Sequence, residues 1–261
     1  MKCKKMYLSI LVLVFIAIFS YSASAANLFQ DNSGNSLWHD AGNWSYGHTP
    51  QFGEQVRIQP EKVCIIDSNA TGADIAKGEN VQIGHADVPI AEAPLLRMVG
   101  GEMEIRNNQF MVGQGPDEPG VFEMAGGNLL LTNAKWVCGS NGAIAFVDIS
   151  GGTIELADKH WNIGYQGGAD ANVTVKDGSI DIHGNITLGF KESATGMLHM
   201  QGGSIAGHSD LSIGNFGGGT GIVDMTGGEI AVDGNMAIPA EADGNGQLSL
   251  RFIPAYASRG P

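Results

Sequence analysis

Charged side chains recur at a fixed interval along this sequence, and the resulting rows hold the residues that could do chemistry. Glu123 and Asp148 are 25 residues apart, and Arg97 precedes Glu123 by 26. If each interval returns the chain to the same face, successive row members lie about 4.8 Å apart. Paired carboxylates can act as acid and base on glycosidic bonds, so Glu123 and Asp148, with Arg97 beside them, are the candidate catalytic residues. Glu155 and Asp181 form another stacked acidic pair by similar spacing.

Imidazoles occur in a second row with the same interval. His183, His208 and Asp233 follow one another at a spacing of 25 residues, and two imidazoles with a carboxylate form a ligand set for a transition metal. Glu123 and Asp148 are further candidate metal ligands, because a divalent cation would relieve the repulsion between stacked carboxylates. Ca²⁺ is the ion expected there, with a small effect at millimolar concentration, since two carboxylates supply few oxygens. Solvated side chains without any ligand are the alternative interpretation of all these rows.

The interval that defines these rows is a repeat that covers most of the chain. Its markers are glycine pairs, replaced once by Asp177-Gly178, whose second glycines are spaced 26, 25, 26, 25 and 25 residues apart. Between the glycines, apolar and polar residues alternate in three short runs, which predicts three short strands with one buried face each. Such strands bury their apolar face only by stacking on the next repeat. The sequence therefore predicts an all-β fold, a parallel β-solenoid (β-helix) of about six regular coils that rise about 4.8 Å each.

The composition excludes several classes of protein. Charged residues make up 16 % of the 261 residues, and 39 are glycine, a balance too apolar for a disordered chain and too glycine-rich for an ordinary helical domain. The formal net charge of −13 argues against nucleic acid and anionic lipid as partners. The sequence contains no Gly-x-Ser-x-Gly, His-Glu-x-x-His or phosphate-loop motif, which favours a protein that is not an enzyme.

The N-terminal segment has the pattern of an export signal. Residues 1–25 combine three lysines, an apolar run and the small residues Ala23-Ser24-Ala25, which is typical of a signal peptide cleaved after Ala25. Removal of its three lysines leaves 11 basic residues against 27 acidic ones, a net charge of −16. We expect the mature protein to be secreted or held at the cell surface, and no later segment has the length of a membrane span.

The rest of the chain divides into three segments. Residues 26–93 lack the glycine pairs and are predicted to form an N-terminal cap and irregular first coils. Residues 94–250 are predicted to form the regular solenoid. Residues 251–261 match nothing before them, so they either wrap the open end of the solenoid or mark the early end of a longer protein.

Two pairs of residues have alternative roles. Trp38 and Trp44 could stack on carbohydrate, but the favoured interpretation is a cap that covers the first coil and blocks edge pairing. Cys64 and Cys138 could form a disulfide in an exported protein. Because Cys138 occupies a row of core positions, a buried thiol is the favoured role for it.

A motif before the repeats adds a family resemblance. The residues Trp38, Asn43-Trp44-Ser45, Pro50 and Gly53, followed by glycine-pair coils ending in Ile-Gly, resemble secreted Gly-Gly-repeat β-solenoid proteins of planctomycete-type bacteria. They are also similar to the autotransporter-associated β-strand repeats of bacterial passenger domains. The coil resemblance spans about Leu95 to Ile238. It implies a large, surface-exposed protein without assigned chemistry.

These observations together predict a non-catalytic exported surface scaffold or adhesion-type protein. Its expected partners are a surface polysaccharide or other cell-surface proteins. The alternative is a polysaccharide lyase or glycoside hydrolase, or a carbohydrate-binding module, on a pectin-lyase-like β-helix. Coil length varies by one residue only, so the coils carry no inserted loops to wall a substrate cleft. Apart from Ca²⁺, no cofactor is expected.

Overall fold

Parallel pairing between successive repeats builds most of the described structure. The computed structural model describes residues 26–84, 93–116, 118–214, 218–238 and 245–250. Within these ranges the strands pair in parallel to form a β-solenoid of about eight turns. The predicted all-β parallel solenoid is therefore confirmed.

The strands are short where the chain turns sharply and long where one strand continues around a corner. In chain order they are β1 (Asn27–Phe29), β2 (Gln55–Ile58), β3 (Val63–Ile66), β4 (Ala76–Ile83), β5 (Leu95–Gln114), β6 (Gly120–Thr132), β7 (Lys135–Ser140), β8 (Ile144–Leu156), β9 (Trp161–Ile163), β10 (Asp170–Ile182), β11 (Ile186–Leu188), β12 (Thr195–Met200), β13 (Ser204–Gly207), β14 (Leu211–Ile213), β15 (Thr220–Met225), β16 (Glu229–Val232), β17 (Met236–Ala237) and β18 (Asn245–Leu250). Single-turn 3-10 helices at Ala41–Asn43 and Gly72–Asp74 interrupt the early part of the chain.

Three parallel sheets run along the solenoid axis. The first contains β1, β2, the ends of β4 and β5, and then β7, β9, β11, β14 and β17. The second contains β3, the starts of β5, β6, β8 and β10, and then β12, β15 and β18. The third contains the start of β4, the middle of β5, the ends of β6, β8 and β10, and then β13 and β16.

Residues that occupy equivalent positions in successive sequence repeats pair with each other in these sheets. In the third sheet, Ile180 pairs with Ile154 of the coil before and with Ile205 of the coil after. All three side chains are buried, because alternate residues of a strand point to the same side. The residues between them therefore point outward, and they form the rows that carry charge.

The glycine pairs occur where the backbones of successive coils touch at a corner. Gly127 and Gly152 have φ of +90° and +88°, a region that L-residues rarely adopt. A Cβ on Gly127 would lie 2.6 Å from the carbonyl oxygen of Gly101, and one on Gly152 would lie 2.6 Å from that of Gly127. Any larger residue would push the coils apart, and this explains why the glycine recurs.

The core is a continuous column of apolar side chains. Aromatic rings fill its middle, where Trp136 and Trp161 of successive coils stack at 4.6 Å and Phe110 meets Phe122 edge to face at 5.0 Å. Cys64 and Cys138 are both buried and free, and burial raises the pKa of the Cys138 thiol to about 12. The expectation of a buried Cys138 thiol is confirmed, and the two cysteines form no disulfide.

The tryptophans of the N-terminal motif belong to this core. Trp38 and Trp44 are 1 % and 2 % exposed. The rings meet edge to face at 4.7 Å, and the Trp44 indole N–H donates to the Trp38 carbonyl at 2.7 Å. Phe29 packs on Trp44, and the bridge from Leu37 to Ile65 of β3 places this segment on the first coil. Neither indole offers a face to solvent, which corrects the alternative in which Trp38 and Trp44 stack on carbohydrate.

The repeat continues to the last strand that the structure describes. Gly246 of β18 pairs with Gly221 of β15, which precedes it by the 25-residue interval of the repeat. The predicted signal peptide at 1–25 and the tail at 251–261 lie outside the described residues. Among the residues described, no helix has the length and apolarity needed to cross a membrane.

Candidate functional site

The first candidate set lies on the outer face of the second sheet, and we call it the carboxylate row (Arg97, Glu123 and Asp148). Arg97 pairs with Glu123, and Glu123 with Asp148, on consecutive coils. Arg97 Nε donates to Glu123 Oε2 at 2.7 Å, and Lys176 Nζ donates to Asp148 Oδ2. The structure thus brings the three predicted residues together and adds a cation, Lys176, that the row spacing did not indicate.

Each carboxylate of this row is balanced by its own cation on an open surface. The side chains of Glu123 and Asp148 are 38 % and 42 % exposed. Ion pairs this accessible contribute little to stability, about 0–1 kcal/mol each. A general acid needs burial or an unbalanced neighbouring charge to hold its proton near neutral pH, whereas each of these carboxylates lies beside a cation. A calcium ion between them would compete with Arg97 and Lys176.

The second candidate set lies where the third sheet turns toward the first, and we call it the histidine cluster (Asp181, His183, His208 and Asp233). The cluster spans three consecutive coils, because His183, His208 and Asp233 directly follow β10, β13 and β16. Their backbone N–H groups donate to carbonyls of the preceding coil at 2.8–2.9 Å. The parallel ladder therefore continues through these residues and fixes their backbones.

The side chains of the cluster converge. The imidazole rings of His183 and His208 have centroids 4.7 Å apart. Asp181 Oδ1 lies 2.9 Å from His208 Nε2 and 3.9 Å from His183 Nε2. On the opposite side of its ring, His208 Nδ1 lies 2.9 Å from Asp233 Oδ2, with hydrogen-bond geometry. The structure thus brings His183, His208 and Asp233 together as the row spacing predicts.

Asp181 belongs to the histidine cluster, although the row spacing in the sequence paired it with Glu155. Its row partners along the axis are Glu155 and Ala206, which is why the spacing assigned it to an acidic pair with Glu155. Residues two apart on a strand share a face, so Asp181 and His183 are also neighbours across the rows. The two-residue spacing of Asp181 and His183 along the chain was the signal that indicated this contact.

The electrostatics of the cluster favour a positive charge on or near His208. The hydrogen bond to Asp233 is the main cause that raises the pKa of His208, and the carboxylate of Asp181 adds to it. The two imidazole side chains are 48 % and 41 % exposed. Solutes can therefore reach the cluster directly from the solvent.

A shallow groove of about 550 Å³ runs along the outer face of the third sheet and ends at Asp181. The outward residues that line it are Glu102, Glu104, Asn128, Leu130, Thr153, Glu155, Ser179 and Asp181. The Thr153 hydroxyl donates to Asn128 Oδ1 at 2.6 Å, and Arg106 donates to both oxygens of Glu104 at 2.6 and 2.8 Å. The groove combines carboxylates with hydroxyl and amide groups, and we call it the third-sheet groove.

Comparison with known proteins identifies no family model, no curated protein and no solved structure that matches this chain. The fold defines the class, a parallel β-solenoid with short turns and outward rows of polar side chains.

Proposed function

We propose that this protein is a non-catalytic, exported β-solenoid that serves as a surface scaffold or adhesin. The observation that carries the proposal is the constant register within the second sheet and within the third sheet over consecutive coils, with register shifts at the corner between them. Such sheets present long, open faces that can contact a long partner at many points. A small substrate would find no enclosed cleft there.

The state of the carboxylate row supports this choice over an enzyme. Polysaccharide hydrolysis needs one carboxyl group that stays protonated and another that stays ionised. Glu123 and Asp148 are instead paired separately with Arg97 and Lys176 in similar, solvent-exposed surroundings. Each carboxylate has the same kind of partner, an adjacent cation, which does not favour one of them as the acid and the other as the base.

Export is the second part of the proposal. The lysines, apolar run and Ala23-Ser24-Ala25 of residues 1–25 support a cleaved signal. The resemblance to secreted Gly-Gly-repeat proteins supports a destination outside the cell or on its surface. The full chain, produced in a bacterial host, should be found outside the cytoplasm with Ala26 as its first residue by N-terminal sequencing. Leu13→Arg should leave it inside and uncut, and processing that persists in this variant would refute the signal.

The third-sheet groove supports a surface polysaccharide as the partner. Its hydroxyl, amide and carboxylate groups can exchange hydrogen bonds with sugar hydroxyls, and its axis follows the repeat. To test this, the mature chain is passed over immobilised acidic and neutral polysaccharides. Thr153→Arg, inside the groove, should abolish retention, whereas Thr174→Arg on the second sheet should keep it. Equal retention of the two variants would remove the groove from the proposal.

Turnover decides between the scaffold and the enzyme. The same polysaccharides are incubated with the mature chain, and new reducing ends and unsaturated products are measured. The proposal expects no release above that of the Glu123→Gln/Asp148→Asn double variant. Release by the wild type that is lost in Asp148→Asn would overturn the non-catalytic assignment.

A further inference from the structure

We propose that Asp181, His183 and His208 bind a divalent transition-metal ion of the Zn²⁺ class, with Asp233 holding His208 in place. This site goes beyond the scaffold function and does not depend on it. Its three ligands come from two successive coils, so a bound ion would link the coils through their side chains.

The spacing of the candidate ligand atoms suits one ion. One atom from each of Asp181, His183 and His208 lies within 4.8 Å of the others. Ligands of tetrahedral zinc, at about 2.0–2.1 Å from the metal, are roughly 3.4 Å from one another. The observed 2.9 and 3.9 Å from Asp181 Oδ1 to the two imidazole nitrogens bracket that value. The ligand atoms of the two imidazoles lie within 4.8 Å of each other, and both side chains are exposed, so rotation about their χ angles can bring them to this separation.

The carboxylate oxygen at the centre of the cluster is the second observation. Asp181 Oδ1 is shielded from solvent, and among the described residues no donor is aligned to hydrogen-bond to it. It nevertheless lies 2.9 Å from a ring nitrogen of His208. A carboxylate oxygen and an unprotonated ring nitrogen this close repel each other. A cation that both can reach, a metal ion or a proton on the ring, removes the repulsion.

Asp233 provides the support that metal-binding imidazoles usually have. Its Oδ2 accepts a hydrogen bond from His208 Nδ1, which places a proton on Nδ1 and makes Nε2 the ring nitrogen available to a metal ion. A carboxylate behind a histidine ligand fixes the ring orientation and raises the basicity of the ligand, and losing it costs about 10–100-fold in metal affinity.

The donor set determines which ions are expected. Two imidazoles and a carboxylate suit Zn²⁺, Ni²⁺ and Cu²⁺, whereas Ca²⁺ and Mg²⁺ prefer oxygen ligands alone. Solvent reaches the cluster, since the side chains of Asp181 and His183 are 45 % and 48 % exposed. Water would therefore complete the coordination shell.

The first test is a calorimetric titration of the metal-free mature chain with Zn²⁺ near neutral pH. We expect one ion per chain, and a loss of at least about tenfold in affinity in each of Asp181→Ala, His183→Ala and His208→Ala. The matched control is His199→Ala, which removes a histidine that lies 3.9 Å from Asp224 on the second sheet and should bind like the wild type. Circular dichroism verifies that each surface variant keeps the fold. Unchanged heats in the His183→Ala/His208→Ala double variant would overturn the site.

The second test counts the ligands spectroscopically. Cu²⁺ bound to the wild type should show coupling to two imidazole nitrogens in electron paramagnetic resonance, and His183→Ala should show one. Asp233→Asn should keep both nitrogens while lowering affinity by about 10–100-fold. A wild-type spectrum with fewer than two imidazoles would contradict the ligand assignment. Full affinity in Asp233→Asn would contradict the role given to Asp233.

Discussion

The carboxylate row and the histidine cluster arise from the same repeat, yet they offer different chemistry. In the carboxylate row, Glu123 contacts Arg97 and Asp148 contacts Lys176. In the histidine cluster, Asp181 faces two imidazoles instead of a lysine or arginine. A carboxylate with a permanent cation beside it has little to offer a metal ion. A carboxylate beside imidazoles has neighbours that are themselves metal ligands in their neutral form.

This contrast shows how a repeat can vary function without varying fold. The backbone register is the same on both faces, so only the outward residues decide what each face can bind. Substitution there changes stability little, and one sheet can acquire a binding site while its neighbour stays an inert surface.

The contrast requires that alternate residues of each strand point inward and outward. Ile180→Asp tests this assignment and should have the largest effect on stability. Ile180 is fully buried between Ile154 and Ile205. An unpaired buried charge should cost roughly 3–5 kcal/mol. Outward Thr174→Asp should change stability by less than about 0.5 kcal/mol. Thermal melts followed by circular dichroism measure both, and similar melting temperatures would show that the assignment is wrong.

The second prediction removes the cations that distinguish the carboxylate row. In Arg97→Gln/Lys176→Gln, Glu123 and Asp148 become adjacent carboxylates without a partner cation. Ca²⁺ should then raise the melting temperature. At a Ca²⁺ concentration ten times the dissociation constant, the free energy of unfolding should increase by about 1.4 kcal/mol. The wild type should respond less, because Arg97 and Lys176 already balance the row, and this revises the calcium effect expected from the row spacing alone. Equal calcium responses of the two proteins would show that the cations do not control this face.

The sequence was sufficient for the fold because the repeat carries the register. The pairing of Glu123 with Asp148, and of Gly221 with Gly246, follows directly from the spacing of the glycines. The spacing did not reveal that β5 continues through all three sheets, since strand ends at corners depend on local backbone geometry.

The candidate sites were predicted only in part, because side chains reach beyond their own row. Lys176 contacts Asp148 although it is 28 residues away, more than one coil. Asp181 in β10 meets His183, which directly follows that strand. The burial of Trp38 depends on packing against the first coil. Contacts of these three kinds do not follow from the repeat spacing and are seen only in the three-dimensional structure.

A third, smaller effect comes from His160. Its pKa is lowered in the folded protein, whereas the pKa of His208 is raised. Burial lowers the pKa of His160, with Lys135 and Lys159 adding repulsion, and its Nδ1 accepts the Asn185 N–H at 3.0 Å. The folded pKa is therefore below the unfolded value of about 6.5. Stability is full above that pH and falls as the pH drops through it toward the folded pKa, because the unfolded chain takes up the proton first.

His160→Gln isolates this effect. The melting temperature of the wild type should fall more than that of the variant between about pH 7.5 and pH 5.5. All other titrating groups are common to both proteins, so the difference between the two decreases reports His160. Parallel decreases would mean that the imidazole titrates alike in the folded and unfolded chains.

The smallest effect is expected in the third-sheet groove. Thr153 donates to Asn128 on the coil before it, and both side chains are exposed. Thr153→Val removes the hydroxyl but keeps a β-branched residue suited to a strand, so stability should change by no more than about 0.5 kcal/mol. If the groove binds polysaccharide, the same substitution should weaken retention, because the hydroxyl would be lost to the ligand as well. Thr174→Val on the second sheet should alter neither quantity. A large loss of stability in Thr153→Val, by chemical denaturation, would mean that this groove is built for the fold and that its polar groups are not free to serve a partner.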